Sequence, residues 1–292
     1  MDYVITCTSG VDLTKEMLDS RNIRCAYYKV VVDGTTYEDN FFKDYPYDKF
    51  YEDIKNGKEP KSSQYGYGPF LEFFESILKE GKDVLHISLS SGISGDYQTA
   101  CMVKEELNEK YENKVYVVDS LGASSGYGMV TILAADNKDK GMNVKENIDW
   151  LEENKYKLNY WFVSSDLSAY IRGGRISKVE GLVGTALKIC PLMTMPESGI
   201  LEPVEKIRTE TKAFKAQLEK MKELADNGLD YDNYCWISTS HYEEKAELLA
   251  NMIKEEFHNI KEVKIFKIGC AVGSHSGYGT VSLYFIGKSR KK

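Results

Sequence analysis

The side chains best suited to bind a ligand lie in residues 88–95, where the sequence is Ser-Leu-Ser-Ser-Gly-Ile-Ser-Gly. β-forming residues precede this segment, and apolar side chains at helical spacing follow it, so the pattern predicts a strand, a turn and a helix N-terminus. Free backbone N–H groups and the helix dipole attract an anion at such a turn, and serine hydroxyls add neutral donors. The segment is therefore predicted to bind a carboxylate or a phosphate. The competing interpretation is that Ser94 or Ser91 only caps the helix.

Two further segments carry candidate side chains in the C-terminal half. Arg172 and Arg175 flank two glycines, and guanidinium groups bind carboxylate or phosphate bidentately. Arg208 is a weaker candidate of the same kind. His275 lies in the glycine-rich segment 273–280, predicted as a loop, where an imidazole can contact an acidic group or carry a proton near neutral pH. Surface arginines in a turn and a structural histidine explain these segments equally well.

Hydroxyl and amide groups also cluster at residues 61–66, Lys-Ser-Ser-Gln-Tyr-Gly, which on their own are typical of a solvated loop. A Ser–His–Asp hydrolase would combine Ser91 or Ser94 with Asp119 or Asp166 and with His275, but the serine segment lacks the G-x-S-x-G pattern of a strained nucleophile. No phosphate-binding glycine motif is present. The six cysteines show neither a C-x-x-C pair nor a histidine at metal-ligand spacing. We therefore predict no catalytic residue, no metal and no cofactor.

The elements that must position these residues alternate between strand and helix through the first half of the chain. Strands are predicted at 3–7, 23–32, 84–89 and 115–118, with helices that include 47–55, 95–109 and 144–154, which indicates a largely parallel sheet. Asp33-Gly34 is a hairpin turn signal. Hydroxyl-rich turns follow three of the strands and are expected to converge at one edge of that sheet. The second half has paired strands, a helix at 181–188 and further helices, which favours a mixed sheet. The prediction is an α/β fold with domains at 1–160 and 161–292.

Composition restricts the class of protein. The chain has 292 residues, 42% of them hydrophobic, as is ordinary for a globular protein. No apolar run approaches the roughly 18–20 residues of a membrane span, and the first residues resemble a strand more than a signal peptide. Scattered cysteines favour a reducing cytoplasm. The net charge of −7 argues against nucleic-acid binding, and the basic end at 288–292 is interpreted as a solubilising tail.

Taken together and in order, these segments resemble the DegV family of bacterial fatty-acid-binding proteins. The resemblance covers essentially the whole chain. The family signature Ser-Ser-x-Leu-Ser-Gly-Thr-Tyr corresponds to Ser-Ser-Gly-Ile-Ser-Gly-Asp-Tyr at 90–97. The other matching segments are the Thr/Ser-rich turn at 6–12, Ser-Ser-Gln at 62–64, Asp-Ser at 119–120, Gly-Gly-Arg-Ile-Ser at 173–177 and His-Ser-Gly-Tyr-Gly at 275–279.

The resemblance implies two α/β domains with a long-chain fatty acid buried in a tunnel between them. It implies that Ser62 and Ser91 hold the carboxylate, with Ser63 and Ser90 beside them and His275 close to the head group, while Ser94 caps the helix. Family members present the lipid to a separate kinase subunit, which phosphorylates the acyl carboxylate with ATP. Arg175, and with it Arg172 or Arg208, would then contact the phosphate or the partner. Peripheral membrane contact for lipid exchange is also expected.

Three departures from the family pattern matter for the expected ligand. Ser62 replaces a threonine, while Tyr65 and Tyr278 replace prolines. These changes keep the head-group hydroxyl and bear on the chain-length preference and on the rigidity of the last loop. Two other classes remain open from the residues: a binding protein for another acidic amphiphile without a kinase, and the serine hydrolase.

Overall fold

A computed structural model describes residues 2–176 and 189–291 of the chain. The strands are β1 (Tyr3–Thr8), β2 (Arg24–Ala26), β3 (Lys29–Val32), β4 (Thr35–Glu38), β5 (Lys61–Ser63), β6 (Asp83–Ser88), β7 (Val115–Asp119), β8 (Leu158–Ser164), β9 (Leu192–Thr194), β10 (Glu202–Glu205), β11 (Cys235–Thr239), β12 (Val263–Lys267) and β13 (Thr280–Ile286). The α-helices are α1 (Lys15–Ser20), α2 (Tyr47–Lys55), α3 (Tyr67–Leu78), α4 (Asp96–Lys110), α5 (Ser124–Asp139), α6 (Val144–Asn154), α7 (Ser168–Arg172), α8 (Glu210–Leu224), α9 (Glu243–Glu256) and α10 (Cys270–Ser276). The helix predicted at 181–188 lies outside the described residues.

The first sheet is parallel, as predicted, with the strand order β2-β1-β6-β7. Alternate residues of its strands point to opposite faces of the sheet. Val4 and Val84 pack against α3 and α4 on one face, whereas Ile5 and Leu85 pack toward α5 on the other. Because the strands run in one direction, their hydroxyl-rich ends meet at one edge. Ser88 and Asp119 are register partners there.

The second sheet is mixed, also as predicted, with the order β10-β9-β8-β13-β11-β12. Helices α8 and α9 cover one face, and α5 packs between the other face and the parallel sheet. This position explains why α5 is buried along most of its length. In chain order β8 is the first strand of this sheet and begins at Leu158. The predicted domain boundary at residue 160 therefore falls inside a strand. The division of the chain into domains at 160 remains a proposal.

A third, antiparallel sheet has the order β4-β3-β5 and corrects two of the predictions. The predicted strand at 23–32 is two strands, β2 and β3, that belong to different sheets. The predicted loop at 61–66 contains β5, which pairs with β3 and so gains backbone hydrogen bonds that a short polar sequence does not reveal. The hairpin predicted at Asp33-Gly34 is confirmed, with φ values of 50° and 79° at those two residues.

The predicted glycine loop at 273–280 was wrong in its first half, because Cys270–Ser276 form α10. Glycine is needed in this helix for close packing: a Cβ on Gly273 would lie 2.6 Å from the hydroxyl oxygen of Tyr51. The loop itself is confined to the residues between α10 and β13. Within the described ranges, no helix is long and apolar enough to cross a membrane.

Candidate functional site

A largely apolar cavity lies between the carboxyl edge of the parallel sheet and the inner face of the mixed sheet. The cavity is lined by Tyr28, Ser62, Ser63, Gln64, Leu89, Ile93, Ser94, Gly95, Ala123, Ser124, Tyr160, Phe162, Tyr170, Arg175, Met195, Leu201, Ile268, Ala271, Val272, His275, Ser276, Thr280, Ser282 and Tyr284. Residues 280, 282 and 284 line it from alternate positions of β13, which extends about 13 Å from the first to the last at 3.3 Å per residue. The cavity is therefore elongated along this strand.

A serine and a histidine of the cavity wall contact each other. Ser62 Oγ and His275 Nε2 lie 2.7 Å apart, on β5 and α10. Burial, together with the positive charges of Arg175 and Arg172, lowers the pKa of His275 to about 4, so its imidazole is neutral at pH 7. The polar groups around this pair are therefore uncharged donors and acceptors, apart from Arg175.

The first glycine of the Gly-Gly-Arg segment, Gly173, has a packing role beside His275. A Cβ on Gly173 would overlap with His275 Nδ1, so only glycine lets the segment after α7 approach the imidazole this closely. The Gly-Gly-Arg segment and the histidine segment, which are about 100 residues apart in sequence, thus form one corner of the site.

Two buried carboxylates hold the N-terminus of α10. Asp12 Oδ1 accepts the N–H of Gly269 at 2.8 Å. Asp39 accepts those of Cys270 and Ala271 at 2.9 and 3.2 Å. Burial raises the pKa of both carboxyls, most strongly that of Asp12. The helix that carries His275 is therefore fixed to residues of the N-terminal half.

The serine side chains of residues 88–95 have different partners. Ser90 is fully buried, donates to the carbonyl of Gly199 at 2.8 Å and accepts the N–H of Gly92, so it joins two loops. Ser91 does not line the cavity; it borders a shallow surface depression with Gly92, Gln98 and Arg175. Its N–H donates to Asp119 Oδ1.

Ser94 does line the cavity, which differs from its predicted role as the helix cap. Helix α4 begins at Asp96 with Gly95 as its N-cap, so Ser94 precedes the cap position. Its Oγ accepts the Asp96 N–H at 3.3 Å. The structure thus brings Ser62, His275 and Ser94 to the cavity surface, with Ser63 at its edge, where that side chain donates to the Lys29 carbonyl.

The three candidate arginines lie in different environments. Arg175 is half-buried, lines both the cavity and the depression, and donates from Nε to the Ile93 carbonyl at 3.1 Å. Burial lowers its pKa. Arg172 is exposed and forms an ion pair with Glu59 at 3.3 Å. Arg208 is exposed in the segment between β10 and α8 and is not among the cavity residues.

The described residues do not assemble the hydrolase arrangement. His275 Nε2 contacts Ser62, while Nδ1 has no partner in the described part of the chain. Asp119 accepts backbone N–H groups, and Asp166 accepts the Ser168 hydroxyl and N–H. Over 2–176 and 189–291, no group of three or more metal-ligating side chains converges.

Two features of the site escaped prediction from the sequence. The cavity wall contains four tyrosines, Tyr28, Tyr160, Tyr170 and Tyr284. Only Tyr284 had a signal in the sequence, which was the alternation of polar and apolar residues in β13. The basic C-terminal end is also more than a solubilising tail. Arg290 donates to the carbonyls of Met195 and Pro196 at 2.6 and 2.7 Å, and its guanidinium lies over the ring of Tyr160.

Comparisons with known proteins agree with this architecture. The model of the DegV family, described as uncharacterised protein, matches residues 3–288. A DegV domain-containing protein of Clostridium perfringens is 32% identical over 290 residues, which are 99% of each chain. The structure of DegV, a fatty acid binding protein from Bacillus subtilis, is similar with a TM-score of 0.85 and 27% identity over 99% of this chain and 100% of that one. A DegV lipid binding protein from Thermotoga maritima has a TM-score of 0.84 and 26% identity, with 100% of each chain covered.

Proposed function

The chain belongs to the DegV family, and on that premise we propose that it binds one long-chain fatty acid, such as palmitate, stearate or oleate, in the cavity between its two larger sheets. The observation that carries this proposal is the lining of the cavity: a largely apolar wall that extends along β13 also carries the hydroxyl and imidazole groups of Ser62 and His275. The described fatty-acid binding of the Bacillus subtilis relative supports it.

The energetics suit such a ligand. Each buried methylene contributes about 0.8 kcal/mol, so a palmitoyl chain supplies on the order of 10 kcal/mol before ordering costs. The carboxylate then needs only a few hydrogen bonds. Neutral donors serve this purpose without the desolvation cost of a buried ion pair.

For the head group, we propose that Ser62, Ser94 and His275 contact the carboxylate. Ser62 and His275 were already predicted, whereas Ser94 takes this place because it lines the cavity. The alternative assignment to Ser91, with Ser63 and Ser90 beside it, stays a prediction. The two assignments differ in which hydroxyl of the serine segment contacts the carboxylate: Ser94 lines the cavity, whereas Ser91 borders the depression alone.

The first test is binding by the purified protein and three serine variants. Native mass spectrometry of protein prepared without detergent should show a co-purified mass of palmitate, stearate or oleate. Ser62→Ala and Ser94→Ala should each weaken palmitate binding by about tenfold or more, since a hydrogen bond to a charged group contributes about 1.5–3 kcal/mol. Ser91→Ala should bind like the parent protein.

Ser76→Ala is the matched control, because Ser76 is exposed on α3 and, among the described residues, its hydroxyl bonds only to the carbonyl of Phe73 in its own helix. An empty protein, or one loaded with a different amphiphile, would contradict fatty-acid binding. Loss of affinity in Ser91→Ala with unchanged affinity in Ser94→Ala would instead return the head group to Ser91.

The finer part of the proposal is coupling to a separate fatty acid kinase subunit. Neutral hydrogen bonds leave the bound carboxylate nucleophilic, so its oxygen can attack the γ-phosphorus of ATP to give acyl phosphate and ADP. Arg175 borders both the cavity and the depression, where it can contact the transferred phosphate, while Arg172 and Arg208 are exposed for the partner. Incubation of the palmitate-loaded protein with a purified kinase subunit and ATP should yield hydroxylamine-sensitive acyl phosphate.

In this role the chain itself is not a catalyst and needs no cofactor besides the bound fatty acid. We propose a cytoplasmic location with peripheral membrane contact during lipid exchange. The acidic net charge of −7 gives no reason to expect a nucleic-acid partner.

A further inference from the structure

A buried carboxylate lies directly behind the proposed head-group site. Asp96 is the first residue of α4 and is fully buried. Its Oδ2 accepts the hydroxyl of Tyr28, and its Oδ1 accepts the N–H of Tyr65 at 3.2 Å.

The hydrogen bonds of Asp96 join three parts of the cavity wall. Ser94 contacts it from the serine segment, Tyr65 from the strand end that carries Ser62, and Tyr28 from the segment between β2 and β3. Both Ser94 and Tyr28 line the cavity. The distance between the hydroxyls of Ser62 and Ser94 therefore depends on the protonation state of Asp96, which decides the hydrogen bonds that its carboxyl group donates and accepts.

The same segment is tied to α4 at a second point. Gln64 Nε2 donates to Thr99 Oγ1 at 2.6 Å, and a Cβ on Gly95 would lie 2.7 Å from Gln64 Oε1. This hydrogen bond links the segment after β5 to the first turn of α4. Since Tyr65 contacts Asp96 and lies three residues after Ser62, we expect a change in the charge of Asp96 to alter the position of Ser62.

The surroundings of Asp96 disfavour its ionised form. Burial raises its pKa to about 6, against the hydrogen bonds from Tyr28, Tyr65 and Ser94 that lower it. Those three residues are the groups that face the Asp96 carboxyl. Within the described ranges, no cationic side chain forms an ion pair with this carboxyl. Across the cavity are the neutral imidazole of His275 and the guanidinium of Arg175.

We propose that Asp96 is a proton-linked positioning residue, which takes up one proton from solvent when a fatty acid carboxylate binds beside Ser94. This inference rests on the proposed function. Two carboxylates on either side of one serine do not both remain ionised in a site with little water, so one of them binds a proton. The neutral Asp96 then keeps Ser62 and Ser94 in place, and the ligand keeps the negative charge that the next reaction requires.

The test is the pH dependence of oleate affinity, measured at submicellar concentration between pH 5.5 and 8.5. In the parent protein, Kd should rise above pH 6 by up to about tenfold per pH unit, the limit for one linked proton. Asp96→Asn retains the shape and has no proton to exchange, so its Kd should be constant over this range. Asp83→Asn is the matched control: Asp83 is also buried but accepts from Asn113 and Lys114, away from the cavity residues.

Calorimetry in buffers of different ionisation enthalpy provides a second measurement that needs no variant. Proton uptake approaching one per oleate at pH 7.5, and falling toward zero at pH 5.5, is expected. A flat Kd profile in the parent protein, zero proton uptake, or the same slope in Asp96→Asn would each overturn the inference while leaving fatty-acid binding intact. Failure of every variant and of the parent to bind oleate would instead contradict the proposed function.

Discussion

Replacement of Asp39 by alanine should show how strongly the proposed head-group site depends on the placement of α10. The Asp39 carboxylate accepts three hydrogen bonds: from Cys270 N–H at 2.9 Å, from Ala271 N–H at 3.2 Å and from the Ser9 hydroxyl at 3.0 Å. All of these groups are buried. Alanine leaves the first turn of the helix that carries His275 without its acceptors.

The expected loss of stability follows from those contacts. Each buried donor left without a partner costs about 1–3 kcal/mol, and relaxation or an entering water molecule offsets part of the sum. We expect the free energy of unfolding to fall by about 3 kcal/mol. Burial raises the pKa of Asp39 in the folded protein. Its stabilising contribution is therefore largest below the unfolded pKa near 4 and decreases as pH rises through the folded value, so the loss should be greater at pH 5 than at pH 8.

Urea unfolding at the two pH values measures this loss, and palmitate binding measures its effect on the site. Because His275 moves with α10, the affinity should fall by about tenfold or more. Asp83→Ala is the matched control, since Asp83 is buried and accepts the N–H of Lys114 at 2.8 Å, at the opposite end of β6 from the cavity. Equal stability losses with equal affinities in the two variants would refute the positioning role of Asp39.

Two further substitutions test the loops behind the cavity. Arg290→Ala should reduce the free energy of unfolding by roughly 2–4 kcal/mol, because several carbonyls lose a charged donor. Thermal unfolding measures this loss. A loss no greater than that of the control Lys291→Ala, at an exposed position, would contradict the structural role of Arg290. Gly92→Ala places a Cβ 2.7 Å from the backbone of Gly199 and should destabilise the protein and weaken palmitate binding. In contrast, Gly68 lies inside α3 with open space around it, so Gly68→Ala should stabilise the protein by up to about 1 kcal/mol. If Gly92→Ala were the more stable of the two variants in thermal unfolding, the close contact between Gly92 and Gly199 would be contradicted.

Hydrophobic periodicity and turn chemistry were sufficient for much of the fold. Helix α2 and helix α6 begin and end where the pattern predicts, and the Asp33-Gly34 hairpin follows from turn preferences alone. Such features depend on residues close together in the chain. The partition of 23–32 between two sheets, and the pairing of β5 with β3, depend on partners distant in sequence and were not predicted.

The chemistry of the site shows the same division. Sequence alone identified the segments that meet: the serine turn, the Ser62 segment, the Gly-Gly-Arg turn and His275. It also identified the family whose signature orders them. Only the tertiary structure decided which hydroxyl of the serine turn lines the cavity. Ser94 borders both the cavity and the surface depression, whereas Ser91 borders the depression alone. This placement depends on the contacts of the turn with Gly199 and Arg175, which are distant in sequence. Likewise the charge states of His275 and Asp96 depend on burial by residues far away in the chain, which no local pattern specifies.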